Sequence, residues 1–157
     1  MREILFKAKK KNWRTLPKEE WWVEGDLIQQ VFNGTKRMWI SSESCDKERL
    51  RSVHKYETEW RAIEIDPETL CEYTGLMDKD SKKIWENDIV NCWTCIDVGD
   101  FANYHIEIGY VEMNYGSFGL HRIQDDTYYR PFKGYFEDYS LHVIGNIFDN
   151  PGMLEVE

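Results

Sequence analysis

Proline is scarce, with four in 157 residues, and no apolar stretch approaches the roughly 20 residues that a membrane helix requires. The start, MREILFKAKKK, is too charged to hold the apolar centre of a signal peptide. A soluble, cytoplasmic chain with no membrane partner is therefore expected. Cysteine is sparse as well: Cys45 and Cys71 stand singly, and only Cys92-Trp93-Thr94-Cys95 forms a close pair. A thiolate zinc centre needs a second pair or spaced histidines, and a redox C-x-x-C needs a helix N-terminus, whereas this one falls in a β-prone run. No metal and no cofactor are expected. The chain has no H-E-x-x-H, no nucleophile elbow, no P-loop and no dinucleotide fingerprint. His54, His105, His121 and His142 are scattered, so no catalytic residue is assigned. Internal repeats and low-complexity segments are missing too.

What is present is aromatic and acidic. Seven Trp, nine Tyr and seven Phe accompany a formal charge of -9. The charge is uneven: residues 1–60 carry 13 Lys and Arg against 10 Asp and Glu, and residues 61–157 carry 7 against 19. An acidic second half disfavours binding a phosphate backbone over a large face. Seven tryptophans exceed what one small core can hide, and aromatics left near the surface mark contact sites. Trp13, Trp21, Trp22 and Trp39 are the expected partner-binding residues, with Trp85 and Trp93 as further anchors.

Along the chain, Ile4, Phe6 and Ala8 alternate with Leu5, Lys7 and Lys9 as in a strand with one buried face. Lys9, Lys10, Lys11 and Arg14 beside Trp13 read as a solvated basic strand end. Asn33-Gly34 between two β-prone runs predicts a type I′ hairpin. The spacing of Leu50, Val53 and Tyr56 suggests a short helix near 45–56, and Trp60–Ile65 reads as a strand. Asp66 before Pro67 predicts one capped helical turn. Tyr73-Thr74-Gly75-Leu76 suggests a change of direction at Gly75, and the Asp-rich run after Met77 a connection closed by its own side chains. Asn87-Asp88 predicts a turn with Asn87 in the left-handed region. A strand follows from Val90. Ile106–Met113 and Phe118–Ile123 flank a second hairpin loop at 114–117. Tyr128–Phe132 and Leu141–Phe148 complete the strands, with Gly145 marking a bulge.

Several blocks in order carry a family likeness: the opening Met1-Arg2-Glu3-Ile4, then Asp66-Pro67-Glu68-Thr69-Leu70, then Tyr73-Thr74-Gly75-Leu76 running to Trp85-Glu86-Asn87-Asp88-Ile89-Val90, then Gly116-Ser117-Phe118-Gly119-Leu120, and the ending Val143-Ile144-Gly145-Asn146-Ile147-Phe148 with Asn150-Pro151. With these blocks the chain resembles the YopX-like family of phage and prophage proteins. Two positions depart from the pattern: Asn87 replaces a glycine, and Lys9 stands where an aromatic is expected. The resemblance implies a mainly β protein with no assigned activity. It further implies an N-terminal β-rich subdomain with a short helix (1–70) and an SH3-like C-terminal β barrel (71–157). The function expected is a non-enzymatic protein-interaction protein that self-associates or binds a host or phage protein. A nucleic-acid-binding β-barrel module is the alternative. A small hydrolase is the third, and would need His121 or His142 beside a carboxylate pair.

Overall fold

The computed structural model describes residues 3–41, 62–98, 101–123, 128–131 and 141–155. Their strands are β1 (Phe6–Lys9), β2 (Trp22–Phe32), β3 (Thr35–Ser41), β4 (Ala62–Glu64), β5 (Cys71–Met77), β6 (Lys83–Trp85), β7 (Asp88–Val98), β8 (Phe101–Asn114), β9 (Ser117–Arg122), β10 (Tyr128–Pro131) and β11 (Leu141–Asn146). Every ladder is antiparallel. The helical pieces among the described residues are single 3-10 turns. No helix among the described residues is long and apolar enough to cross a membrane. The helix expected near 45–56 lies outside the described residues.

The chain forms two compact units, Met1–Glu72 and Tyr73–Glu157. In the first, β2 and β3 are joined by Asn33 (φ 49°) and Gly34 (φ 76°), the two left-handed residues that the I′ hairpin requires. β2 is one strand through Gly25-Asp26, because its whole length has partners in β1 and β3. Ala8, Val23, Ile40 and Ile65 form the buried apolar cluster, with Phe6, Leu27, Met38, Ile63 and Leu70 against it. Ile4 remains exposed. At Pro67–Thr69 the Asp66 side chain accepts from Glu68 N at 3.3 Å, the cap that the sequence predicts.

The second unit is built on the order β10-β9-β8-β7-β11. β10 and β11 share no pairing among the described residues, so these strands make a sheet and no closed barrel. The β8–β9 turn is tighter than the sequence suggests: only Tyr115 (φ 49°) and Gly116 (φ 80°) lie between the strands. Gly75 has positive φ (85°) inside β5, at the register shift between Tyr73 and Met77. It makes a bulge rather than a change of direction. Gly145 also sits at a register shift, against β7, and a Cβ there would fall 2.7 Å from Asn150 Oδ1. β11 ends two residues before Phe148 because the Asn146 carboxamide oxygen captures the backbone N–H groups of Phe148 and Asp149. Asn87 has φ 66°. Ile84, Val90, Cys92, Val111, Phe118, Leu120, Leu141 and Val143 make the core.

Candidate functional site

Cross-strand partners share a face of a sheet, and alternate residues share it along a strand. In the first unit Ala8, Val23 and Ile40 face the apolar cluster. The register therefore sends Lys7, Lys9, Trp22, Glu24, Ile28, Arg37, Trp39 and Glu64 to the opposite face. On this outer face Lys9 is 1% exposed, which overturns the reading of a solvated basic strand end. The physical reason is aromatic. Its ammonium lies 4.0 Å from the ring centre of Trp13, 4.4 Å from Trp21 and 5.4 Å from Trp22. Three electron-rich ring faces replace the water that the charge gives up.

The segment from Trp13 to Trp21, with its two 3-10 turns, folds over Lys9 because each ring is held by its edge. Trp13 Nε1 donates to Asp66 Oδ2 at 3.1 Å, and Trp21 Nε1 to the Leu16 carbonyl at 2.9 Å. The two rings meet edge to face at 4.8 Å. The backbone beneath is fixed too: Lys9 N donates to Thr69 Oγ1 at 2.9 Å, and Asp66 N to the Lys9 carbonyl at 2.8 Å. Further cations dress the rings from outside, Arg14 at 4.4 Å from Trp13, Lys18 at 6.0 Å from Trp21 and Lys7 at 5.2 Å from Trp22.

Trp39 is on the same face with other neighbours. Arg37 lies 5.2 Å from its ring and makes two hydrogen bonds to Glu64, 2.8 and 2.7 Å, while Lys11 Nζ donates to Glu64 Oε1 at 2.9 Å. The hydrogen bonds from Arg37 and Lys11 hold the Glu64 carboxyl well below its ordinary value, at about 2. Trp13, Trp21, Trp22 and Trp39 are all half-buried, and none belongs to the apolar cluster. Trp85 is not an anchor. It is buried against Tyr73 in the second unit, with ring centres 5.4 Å apart. The side chain of Trp93 lies outside the described residues.

The second unit holds the polar group nearest to a catalytic constellation. His142 Nε2 is 3.3 Å from Asp80 Oδ2, and Asp78 is adjacent. Asp78, however, already accepts three backbone N–H groups, from Asp80 and Lys82 at 2.9 Å on Oδ1 and from Val143 at 3.1 Å on Oδ2. Burial pushes its carboxyl up, but those N–H groups outweigh burial and leave it below the ordinary value. A carboxylate committed in this way is a poor general base. His121 Nδ1 lies 3.0 Å from Glu112 Oε2, with Tyr110 stacked on its ring. Cys92 is buried, and burial, with Glu107 beside it, pushes its thiol up to about 11, which keeps it a thiol. Cys45, His54 and the side chains of Cys95 and His105 lie outside the described residues.

Sequence reasoning found the tryptophans and missed Lys9 at their centre. The signal was the unexpected lysine at a position where an aromatic is expected: both kinds of side chain can fill the same gap beside tryptophan rings.

A family model described as YopX protein matches residues 12–155 of the chain. Among solved structures, the crystal structure of protein EF1440 from Enterococcus faecalis is similar with a TM-score of 0.43 and 20% identity, covering 99% of this chain and 100% of that one. No curated protein matches. With blocks in order from its first residues to its last strand, and a family match over nearly its whole length, the chain belongs to the YopX family.

Proposed function

We propose that the protein acts by binding rather than by catalysis, and that its contact surface is the outer face of the first unit, anchored on Trp13, Trp21, Trp22 and Trp39. The observation that carries this reading is the placement of four half-buried tryptophans opposite the apolar cluster, beside Arg14 and Arg37. Tryptophan and arginine are the residues most enriched where interfaces draw their energy. The rings are also held before any partner arrives, by the two indole N–H bonds and by the enclosed ammonium. Fewer rotamers are then lost on association. A second copy of the chain is the first partner, because symmetric self-association is the commonest way to cover such a face. A host or phage protein is the other. Residues 1–70 carry the contact in this reading, and residues 71–157 serve as an SH3-like scaffold.

Light scattering at tens of micromolar should give a dimer or higher species that weakens in Trp22→Ala and in Trp39→Ala. A monomer refutes self-association, and an oligomer indifferent to both variants refutes its placement.

One observation favours a nucleic-acid partner as the second reading. Between Lys7 and Lys18 there are six cations and no acid, and Lys7, Arg14 and Lys18 lie against tryptophan rings, an arrangement that suits stacked bases beside phosphates. A salt-sensitive shift of a single-stranded oligonucleotide, lost in Lys10→Gln/Arg14→Gln, would favour it over the protein partner.

A further inference from the structure

The geometry points to a divalent-cation site in the second unit, formed by Asp78, Asp80, His142 and the carboxamide oxygen of Asn91, and suited to Mn2+, Fe2+ or Zn2+ rather than Mg2+ or Ca2+. One ligand atom from each of Asp78, Asp80 and His142 lies within 4.8 Å of the others. Metal–ligand distances of about 2.0–2.2 Å place neighbouring ligand atoms about 3–4 Å apart. Small rotamer shifts of Asp80 and His142 close that gap, and both side chains are free enough to make them, at 64% and 37% exposed.

The site is built on a fixed point. The N–H groups of Asp80 and Lys82 saturate Oδ1 of Asp78, and Val143 N takes one position on Oδ2. A carboxylate oxygen has two such positions, so Oδ2 keeps one for a cation.

An observation independent of the acids comes from β7. The Asn91 Oδ1 atom is buried and no donor reaches it. Asn91 stands directly opposite His142 in the β7–β11 ladder, so the two side chains share a face at cross-strand distance. Buried acceptors are ordinarily satisfied, and an amide oxygen on the same sheet face as the imidazole is a metal ligand by type. The imidazole argues against Mg2+ and Ca2+, which prefer oxygen alone. The four ligands come from the β5–β6 connection, β7 and β11, so a bound ion staples three segments and raises stability by linkage. The sequence expectation of no metal was drawn from the cysteines; this set contains none.

Titration of the chelator-stripped full chain with MnCl2 and with ZnCl2 by calorimetry tests the site. One ion per chain and a rise in melting temperature are expected, with Mg2+ and Ca2+ weaker by about tenfold or more. His142→Ala and Asp80→Asn alter exposed side chains and leave the Asp78 bonds in place, so they should fold. Each should weaken Mn2+ binding by about tenfold or more, and Asn91→Asp should tighten it. The absence of saturable Mn2+ or Zn2+ binding, or binding that survives both His142→Ala and Asp80→Asn, overturns the proposal. An Asn91→Asp variant with unchanged affinity removes Asn91 from the ligand set.

Discussion

Lys9 shows what one residue can hide from sequence reasoning. A run of three lysines reads as solvent-exposed, and for Lys10 and Lys11 that reading holds in part. Lys10 is half-buried, and Lys11 is exposed and reaches Glu64. Lys9 goes inward because β1 alternates, and the side of β1 away from Ala8 meets the tryptophan segment. Charge and shape both matter there. Lys9→Ala removes the ammonium and leaves a void, and should cost about 2–4 kcal/mol in urea denaturation. Lys9→Met keeps most of the volume and should cost about 1–2 kcal/mol; a Lys9→Met variant as stable as the native chain would show that the charge contributes nothing. Glu64 makes a second prediction. Its folded value of about 2 lies below the ordinary 4.5 of an unfolded carboxyl. The folded state therefore binds the proton less well, and the stabilisation is complete above the ordinary value and lost as pH falls toward about 2. The stability gap between the native chain and Glu64→Gln should narrow across that acid window. A gap that widens on acidification has the wrong sign.

At the scale of elements, what was legible was what a few neighbouring residues decide. Asn33-Gly34 specified its hairpin because both residues tolerate positive φ, and Asp66-Pro67 specified its cap. Asn87 was readable for the same reason: at φ 66° it turns the chain from β6 into β7 while its N–H donates to the Val111 carbonyl at 2.7 Å. Asn87→Gly should be neutral or slightly stabilising, and Asn87→Val should cost about 1 kcal/mol or more, since a β-branched side chain resists that backbone. Matching melting temperatures for the two variants would contradict this. Tyr115 was not readable. It takes φ 49° and is 97% exposed, with no propensity of its own for either. The turn between β8 and β9 imposes that backbone, a constraint set by pairing along the whole hairpin. Gly75 failed for a related reason. A change of direction was expected there, but whether a glycine of positive φ turns a chain or bulges a strand depends on the partner strand, which local sequence does not name.

For the whole molecule, the family blocks implied a mainly β chain, and two antiparallel sheets are what the described residues form. Closure of the second sheet could not be read, because strand counts do not reveal whether the first and last strands meet. The candidate site was half legible on the same logic. Tryptophan content announced a face, while its register against Lys9, Arg37 and Glu64 is a long-range property. The tie from Asp78 to Val143, 65 residues apart in the chain, has a kinetic consequence. The β7–β8–β9 meander is held by contacts between sequence neighbours and can form early, whereas β11 docks only after a long loop has closed, at an entropic cost that local pairing does not bear. Asp78 Oδ1 can accept from Asp80 and Lys82 within its own connection before then, but Oδ2 meets the Val143 N–H only at that moment. Its carboxylate then accepts from the arriving strand as well as from its own connection, so the step that completes the sheet also ties β11 to the β5–β6 loop.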